Sequence, residues 1–569
     1  MSLNPPPSVD QIDATRWETI QPYVTELAQR ALPAADVADW LADWSHLSEV
    51  VGEAATWLSI AYSRNTEDDT RKAAYLDYVR QVSPHLRTAE QQLKERLLQT
   101  GWEAPGMEEV LRRFRSDAAL FRPDNVPLLA EEQAVAARYS ETLGSLTVSF
   151  QGAERTLSQL APFRALPERD VREGAWRAGH ERLADVRPHL DELFDQLLGL
   201  RRRIAANAGF ANYRDFRWQH MGRLDYTPAD AERFQRSVRE VVVPALRRRS
   251  ARRAEDLGLK PLRPWDLEVD PHGTAPLRPF SGGDELADGV ARIFDRVHPD
   301  FGGMVRTMRS EGLLDLENRK GKAPGGYCAT LPARGRPFIF MNAVGTEDNL
   351  RTMLHEAGHA FHVFERAALP YFWQRGAPLE FAEVASMSME LLAAPYITRE
   401  AGGFYERREA VRSRIQHLER IIDFLPYMAA VDAFQHWVYA HPEHDRQARD
   451  AAWLELHERY CVAADWQGLE ATRSSLWQHK QHIFQAPFYY IEYGLAQVGA
   501  LQVWARSVTD PEAALRDYRA ALALGSTRPL PELFAAAGAR LAFEPEPLAE
   551  VVALVERTLG QLEAELAEA

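Results

Sequence analysis

The run Leu354-His-Glu-Ala-Gly-His-Ala-Phe-His362 constrains the fold of this 569-residue chain more tightly than any other stretch. It holds an H-E-x-x-H pattern at His355, Glu356 and His359. Two imidazoles four residues apart can share one ion only where the backbone is a helix that stacks positions i and i+4 on one face. The flanking residues favour that helix. Thr346 is a suitable N-cap, Glu347 and Asp348 put acids in the first turn, and Leu350, Met353, Leu354, Ala357, Ala360 and Phe361 recur at the spacing of a helix buried on one side. A metal-bearing helix is therefore predicted over about 346–366. The chemistry implied is zinc-dependent hydrolysis of a peptide bond, with Glu356 reaching water on the ion.

A catalytic zinc site takes three protein ligands and leaves one position open. A third histidine six residues after His359, with glycine halfway, would mark a metzincin; those positions hold Glu365 and His362, which excludes that class. A second helical pattern over about 379–394 offers Glu380, Glu383 and Glu390 instead. Glu383 and Glu390 lie two turns apart on one face, and spacing alone allows either.

At these residues the chain resembles a known family. His355-Glu-Ala-Gly-His-Ala-Phe-His362 followed by Phe381-Ala-Glu-Val-Ala-Ser386 is similar to the zinc signature of the thimet oligopeptidase and oligoendopeptidase F family. The likeness extends through Gly325-Gly-Tyr-Cys328, Arg336-Pro-Phe-Ile-Phe-Met-Asn342 and His482-Ile-Phe-Gln-Ala-Pro-Phe-Tyr-Tyr-Ile-Glu-Tyr-Gly494. It covers roughly the last two-thirds of the chain, and the first third carries no matching motif. The resemblance implies one Zn2+ per chain, held by His355, His359 and Glu383, with Glu356 as general base and then acid. It also implies that His482 and Tyr493 donate to the oxyanion and that Tyr490, Tyr489 and His362 meet substrate. The segment between His482 and Tyr493 differs in length from better-known relatives, so the choice among Tyr489, Tyr490 and Tyr493 stays open. For His362 a hydrogen-bonding core position competes with substrate contact, and Glu390 is left to orient a ligand histidine by accepting its distal N–H.

The rest of the chain is predominantly helical in pattern. Apolar residues three and four apart recur from about Val9 to Asp185, and again from about Pro188 to Leu257. This predicts an N-terminal helical lobe over 1–190 and a catalytic domain over 191–569. Between about 262 and 342 glycine and proline bracket short β-favouring runs at Tyr327 to Leu331 and Pro337 to Met341, with a further extended candidate at Trp265 to Val269. A small sheet beside the zinc helix follows. Its edge would accept an extended peptide as another strand, which makes Phe338 and Phe340 candidate substrate contacts. The fold class is mainly α; the two helical lobes flanking a deep substrate channel are what the resemblance implies.

A net charge of -15 argues against nucleic acid and anionic membranes as partners. The N-terminus has no basic start and apolar run of a leader, and no stretch approaches the ~20 apolar residues of a membrane span, so a cytoplasmic location is expected. Cys328 and Cys461 are too few for a disulfide framework. The expected function is zinc-dependent endopeptidase action on short unstructured oligopeptides. Two alternatives are a helical zinc metallocarboxypeptidase and a non-catalytic, metal-stabilised peptide-binding protein; an intact Glu356 argues against the second, since a structural zinc needs no general base.

Overall fold

The computed structural model describes residues 7–319, 321–323 and 325–568, so the first six residues of the segment read for a leader lie outside it. The fold is mainly helical with two small sheets. No helix among the described residues is long and apolar enough to cross a membrane.

The first helices close around their own core, in which Trp40, Trp44, Leu93 and Phe114 are buried. The long helix Val37–Arg64 contributes to that core and also reaches residues of the later sheet region. There Trp57 meets Phe338 edge to face at 5.7 Å, Arg64 pairs with Asp315 at 2.8 Å, and the buried Glu53 holds Arg334 at 2.5 Å. Tyr371 and Trp373 return from beyond the metal motif to pack on the same core.

Two expectations of local structure need correction. The region read as almost wholly helical contains a β-hairpin, β1 (Thr147–Phe150) against β2 (Ala153–Thr156). Its two-residue turn, Gln151 and Gly152, has φ of 48° and 74°, the left-handed backbone that a tight hairpin demands. Trp265 is not in a strand: Pro264–Asp266 is a 3₁₀ turn, fixed because Arg169 and Arg172 both bind the buried Asp266 carboxylate, at 2.8 and 2.9 Å. Position 190 falls inside one continuous helix, Arg169–Asn207, which carries Pro188 within it.

The second sheet has β3 (Leu314–Glu317), β4 (Tyr327–Leu331) and β5 (Arg336–Ala343) in the order β3-β5-β4. β5 pairs parallel with β3 and antiparallel with β4, so it is the central strand and neither of its edges is open. Phe338 and Phe340 are buried at 1% and 0% exposure. A peptide therefore cannot add beside them, and they are core residues, not substrate contacts. The outer strands are β3 and β4.

β5 leads through Gly345 into the motif helix, Glu347–Glu365. Its start is fixed by a capping box in which Thr346 Oγ1 accepts from the Asn349 N–H and Asn349 Oδ1 accepts from the Thr346 N–H. The partner helix, Leu379–Ala393, crosses it closely, and Gly358 is what allows the approach: a Cβ there would lie 2.6 Å from Ser386 Cα and 2.7 Å from the Ala385 carbonyl oxygen.

Candidate active site

The motif helix and its partner bring His355, His359 and Glu383 to one point. One ligand atom from each lies within 4.8 Å of the others. Glu383 Oε2 is 3.4 Å from His355 Nε2 and 3.6 Å from His359 Nε2, so both histidines present the same ring nitrogen to the carboxylate. Two nitrogens and one carboxylate oxygen converging from rigid helices match the donor set of catalytic zinc.

Two of the three donors, His355 and Glu383, are held from behind. His355 Nδ1 is 2.7 Å from Glu390 Oε1, and the other oxygen of Glu390 is 3.1 Å from His417 Nε2, on the helix Arg407–Ala440. Ser386 Oγ donates to Glu383 Oε2 at 3.1 Å, and the Tyr489 hydroxyl donates to Glu383 Oε1 at 3.2 Å. Burial pushes the Glu383 carboxyl upward, but His359, His355 and Ser386 pull harder the other way and hold it at about 2. Burial drives His359 down to about 4, favouring the neutral, ligating form.

Glu356 points into the same space with different electrostatics. It is buried, its Oε2 has no hydrogen-bond partner among the described residues, and burial followed by the nearby carboxylates pushes it up to about 7. A carboxyl with that value is near the optimum for taking and returning a proton at neutral pH.

Across the site the short helix Gln481–Gln485 carries His482, and the helix Tyr490–Thr509 begins immediately after a tight loop. Phe488, at the loop's turn, has φ of 65°, a strained conformation for a non-glycine residue. Its N–H donates to Gln435 Oε1 at 2.7 Å and its carbonyl accepts from buried Arg223, so surrounding bonds impose the conformation. The loop gathers Tyr489, Tyr490 and Tyr493 around the His482 ring, at centroid distances of 5.9, 5.0 and 5.8 Å. Tyr489 faces Glu383, whereas Tyr490 is buried against Phe424 and Tyr427. Tyr493 and His482 line a cavity of about 600 Å³ together with Glu390 and His417. Burial lowers His482 to about 4, with Lys480 adding to the effect, and its buried Nδ1 has no hydrogen-bond partner among the described residues. His362 is also interior: at 2% exposure it packs against the Phe381 ring.

Sequence reasoning did not reach His417, Ser386 or Arg223. Ser386 stands within the motif that singled out Glu383, so a signal for it existed. His417 and Arg223 sit on remote helices in unremarkable helical patterns, and only tertiary structure brings them in.

A family model described as Peptidase family M3 matches residues 163–552, and one for the peptidase M3 N-terminal domain matches residues 11–113. The chain belongs to peptidase family M3. Among solved structures it is similar to an oligoendopeptidase F described as putative, with 30% identity and a TM-score of 0.86 over 98% of this chain and 97% of that one. It is also similar to PZ peptidase A bound to an inhibitor, with 29% identity, a TM-score of 0.87 and 98% of each chain covered. Among curated relatives, an oligoendopeptidase F homolog from Lactococcus lactis is 27% identical over 29% of this chain. The match spans only 27% of that relative's length. An oligoendopeptidase F homolog from Mycoplasma pneumoniae is 24% identical over 53% of this chain and 50% of its own length. These M3 peptidase relationships agree with the mainly α architecture.

Proposed function

We propose that this M3 peptidase is a zinc-dependent endopeptidase acting on short, unstructured oligopeptides. The observation that carries the reading is the convergence of His355, His359 and Glu383 within 4.8 Å beside a buried Glu356 whose Oε2 lacks a partner. Zinc held by those three side chains supplies Lewis acidity toward the scissile carbonyl and lowers the pKa of water.

The chain's own residues do the rest. Glu356 takes a proton from the attacking water and returns it to the leaving amine, which its elevated pKa of about 7 favours in both directions. His482 and Tyr493, in ring contact and lining one cavity with Glu390, supply a hydroxyl and an imidazole that can donate to the oxygen that becomes negative in the tetrahedral intermediate. Tyr489 and Ser386 keep Glu383 ionised and oriented. The peptide lies extended along the open edge of β4, in a channel between the N-terminal helices and the catalytic helices, which admits a single unfolded strand.

The test is digestion of a mixed peptide library with mass-spectrometric readout, with and without a chelator. Internal fragments that vanish with chelation and return with zinc are the expected result. Stepwise loss of single C-terminal residues would instead identify a carboxypeptidase, and intact peptides would leave only binding.

A further inference from the structure

A cavity of about 890 Å³ opens along β4 between the N-terminal helices and the end of the motif helix. Cys328, Ala329 and Thr330 of β4 form one wall, and Arg366, the C-cap of the motif helix, forms part of another. The charged groups lining it are paired almost throughout. Lys94 and Arg113 bind Asp117, Asp225 binds Arg112, Arg375 binds Glu49, and Glu380 accepts from Tyr226. Arg366 is the exception: half-buried, its guanidinium has neither hydrogen bond nor ion pair among the described residues. Burial lowers it to about 10, the mark of a cation short of solvent and of a counter-ion.

Its position relative to the reaction is set by helix geometry. Arg366 follows His359 by seven residues, two turns, and so lies on the same face about 10 Å along the axis. β4 runs beside this helix end, where Cys328 and Arg366 line the same cavity; the Glu356 carboxylate and the Arg366 guanidinium both act on the Cys328 thiol, after the larger effect of burial. An extended peptide advances about 3.4 Å per residue, so a chain lying on the β4 edge brings a group about three residues from the cleaved bond to Arg366.

We propose that Arg366 is a specificity-determining residue that binds a carboxylate of the substrate about three residues from the scissile bond. The planar guanidinium offers a two-pronged donor set that fits a carboxylate. That carboxylate is either the peptide's own C-terminus or an acidic side chain. The inference rests on the endopeptidase reading of the zinc site and deepens it by naming what the cavity beside β4 recognises.

The experiment uses zinc-loaded full-length protein carrying Glu356→Gln, so that peptides bind without turnover, and the same protein with Arg366→Gln or Arg366→Lys added. One series of neutral peptides ends about three residues beyond the cleaved bond in either a free carboxylate or a carboxamide. A second, capped at both ends, carries Glu or Gln about three residues to either side. Affinities come from fluorescence anisotropy, and KM and kcat from cleavage by the chain with Glu356 intact. The anion in one series should bind about tenfold or more tighter than its neutral twin, with the same split in KM and not in kcat. That ratio should collapse toward one in R366Q and recover in part in R366K. Preference in the first series identifies the terminus, and in the second the side chain. Absence of preference in both, or a preference that survives R366Q, overturns the proposal, as does failure of every peptide to bind. If peptides bind with the expected ratio and the intact chain cuts none, Arg366 keeps its role and the endopeptidase reading fails.

Discussion

Glu390 links two histidines, accepting from His355 Nδ1 at 2.7 Å while its second oxygen lies 3.1 Å from His417 Nε2. The contact fixes the His355 ring so that Nε2 faces Glu383, and Glu390 stays ionised because burial, which opposes it, is outweighed by the two imidazoles. Orienting partners of this kind commonly govern affinity without being ligands. Glu390→Ala should bind one zinc at saturation but about 10- to 100-fold more weakly, while Glu383→Ala should lose stoichiometric metal. Competition titration against a chromogenic chelator reads both. Equal retention of metal by both variants would remove Glu383 from the ligand set.

Glu356→Gln keeps the shape of the side chain and loses the basic oxygen. It should bind zinc and peptide as the parent does, with kcat lower by at least ~10². Steady-state kinetics on a quenched peptide, with metal content measured on the same sample, separates this from simple metal loss. Near-normal kcat would leave the buried carboxyl without its assigned role.

What was legible before the structure divides along physical lines. The motif helix and its partner were readable nearly to the residue because capping and a 3.6-residue apolar period are local signals; the observed bounds are Glu347–Glu365 and Leu379–Ala393. The sheet was harder. β5 reads correctly as a strand, yet its central position depends on β3, a four-residue strand whose pairing is parallel and distant in sequence, and so the open edge was assigned to the wrong strand. The β1 to β2 hairpin was hidden because its turn uses Gln151 beside Gly152, not the more recognisable Asn-Gly. Arg223, His417 and Arg366 were invisible for a different reason: nothing in a sequence distinguishes a cation that will be paired in the interior from one that will face a cavity alone.

The three tyrosines make separable contacts. Tyr489 donates to Glu383, Tyr490 is packed against Phe424 and Tyr427, and Tyr490 and Tyr493 both line the cavity with His482. If Tyr493 donates to the developing oxyanion, Tyr493→Phe should lower kcat by about 10² to 10³ with little change in KM. Tyr489→Phe should act first on zinc affinity, and Tyr490→Phe mainly on KM. A kcat loss of that size in Tyr490→Phe with none in Tyr493→Phe would reassign the donor.

Gly358 offers a test in which two effects have opposite sign. Alanine is a better helix former than glycine by about 1 kcal/mol, so on local propensity Gly358→Ala should stabilise. The new Cβ, however, would meet backbone, at 2.6 Å from Ser386 Cα and 2.7 Å from Ala385 O, and backbone cannot swing aside as a side chain can. The two helices must separate, at an overpacking cost of about 1 to 3 kcal/mol or somewhat more. Separation also draws Glu383, one turn before Ser386, away from the two histidines. The variant should therefore melt at a lower temperature than the parent without metal, gain less from added zinc, and lose more in zinc affinity than a distant substitution of equal destabilisation. A melting temperature at or above the parent's would mean that the helices yield at no cost and that the glycine is not what sets their approach.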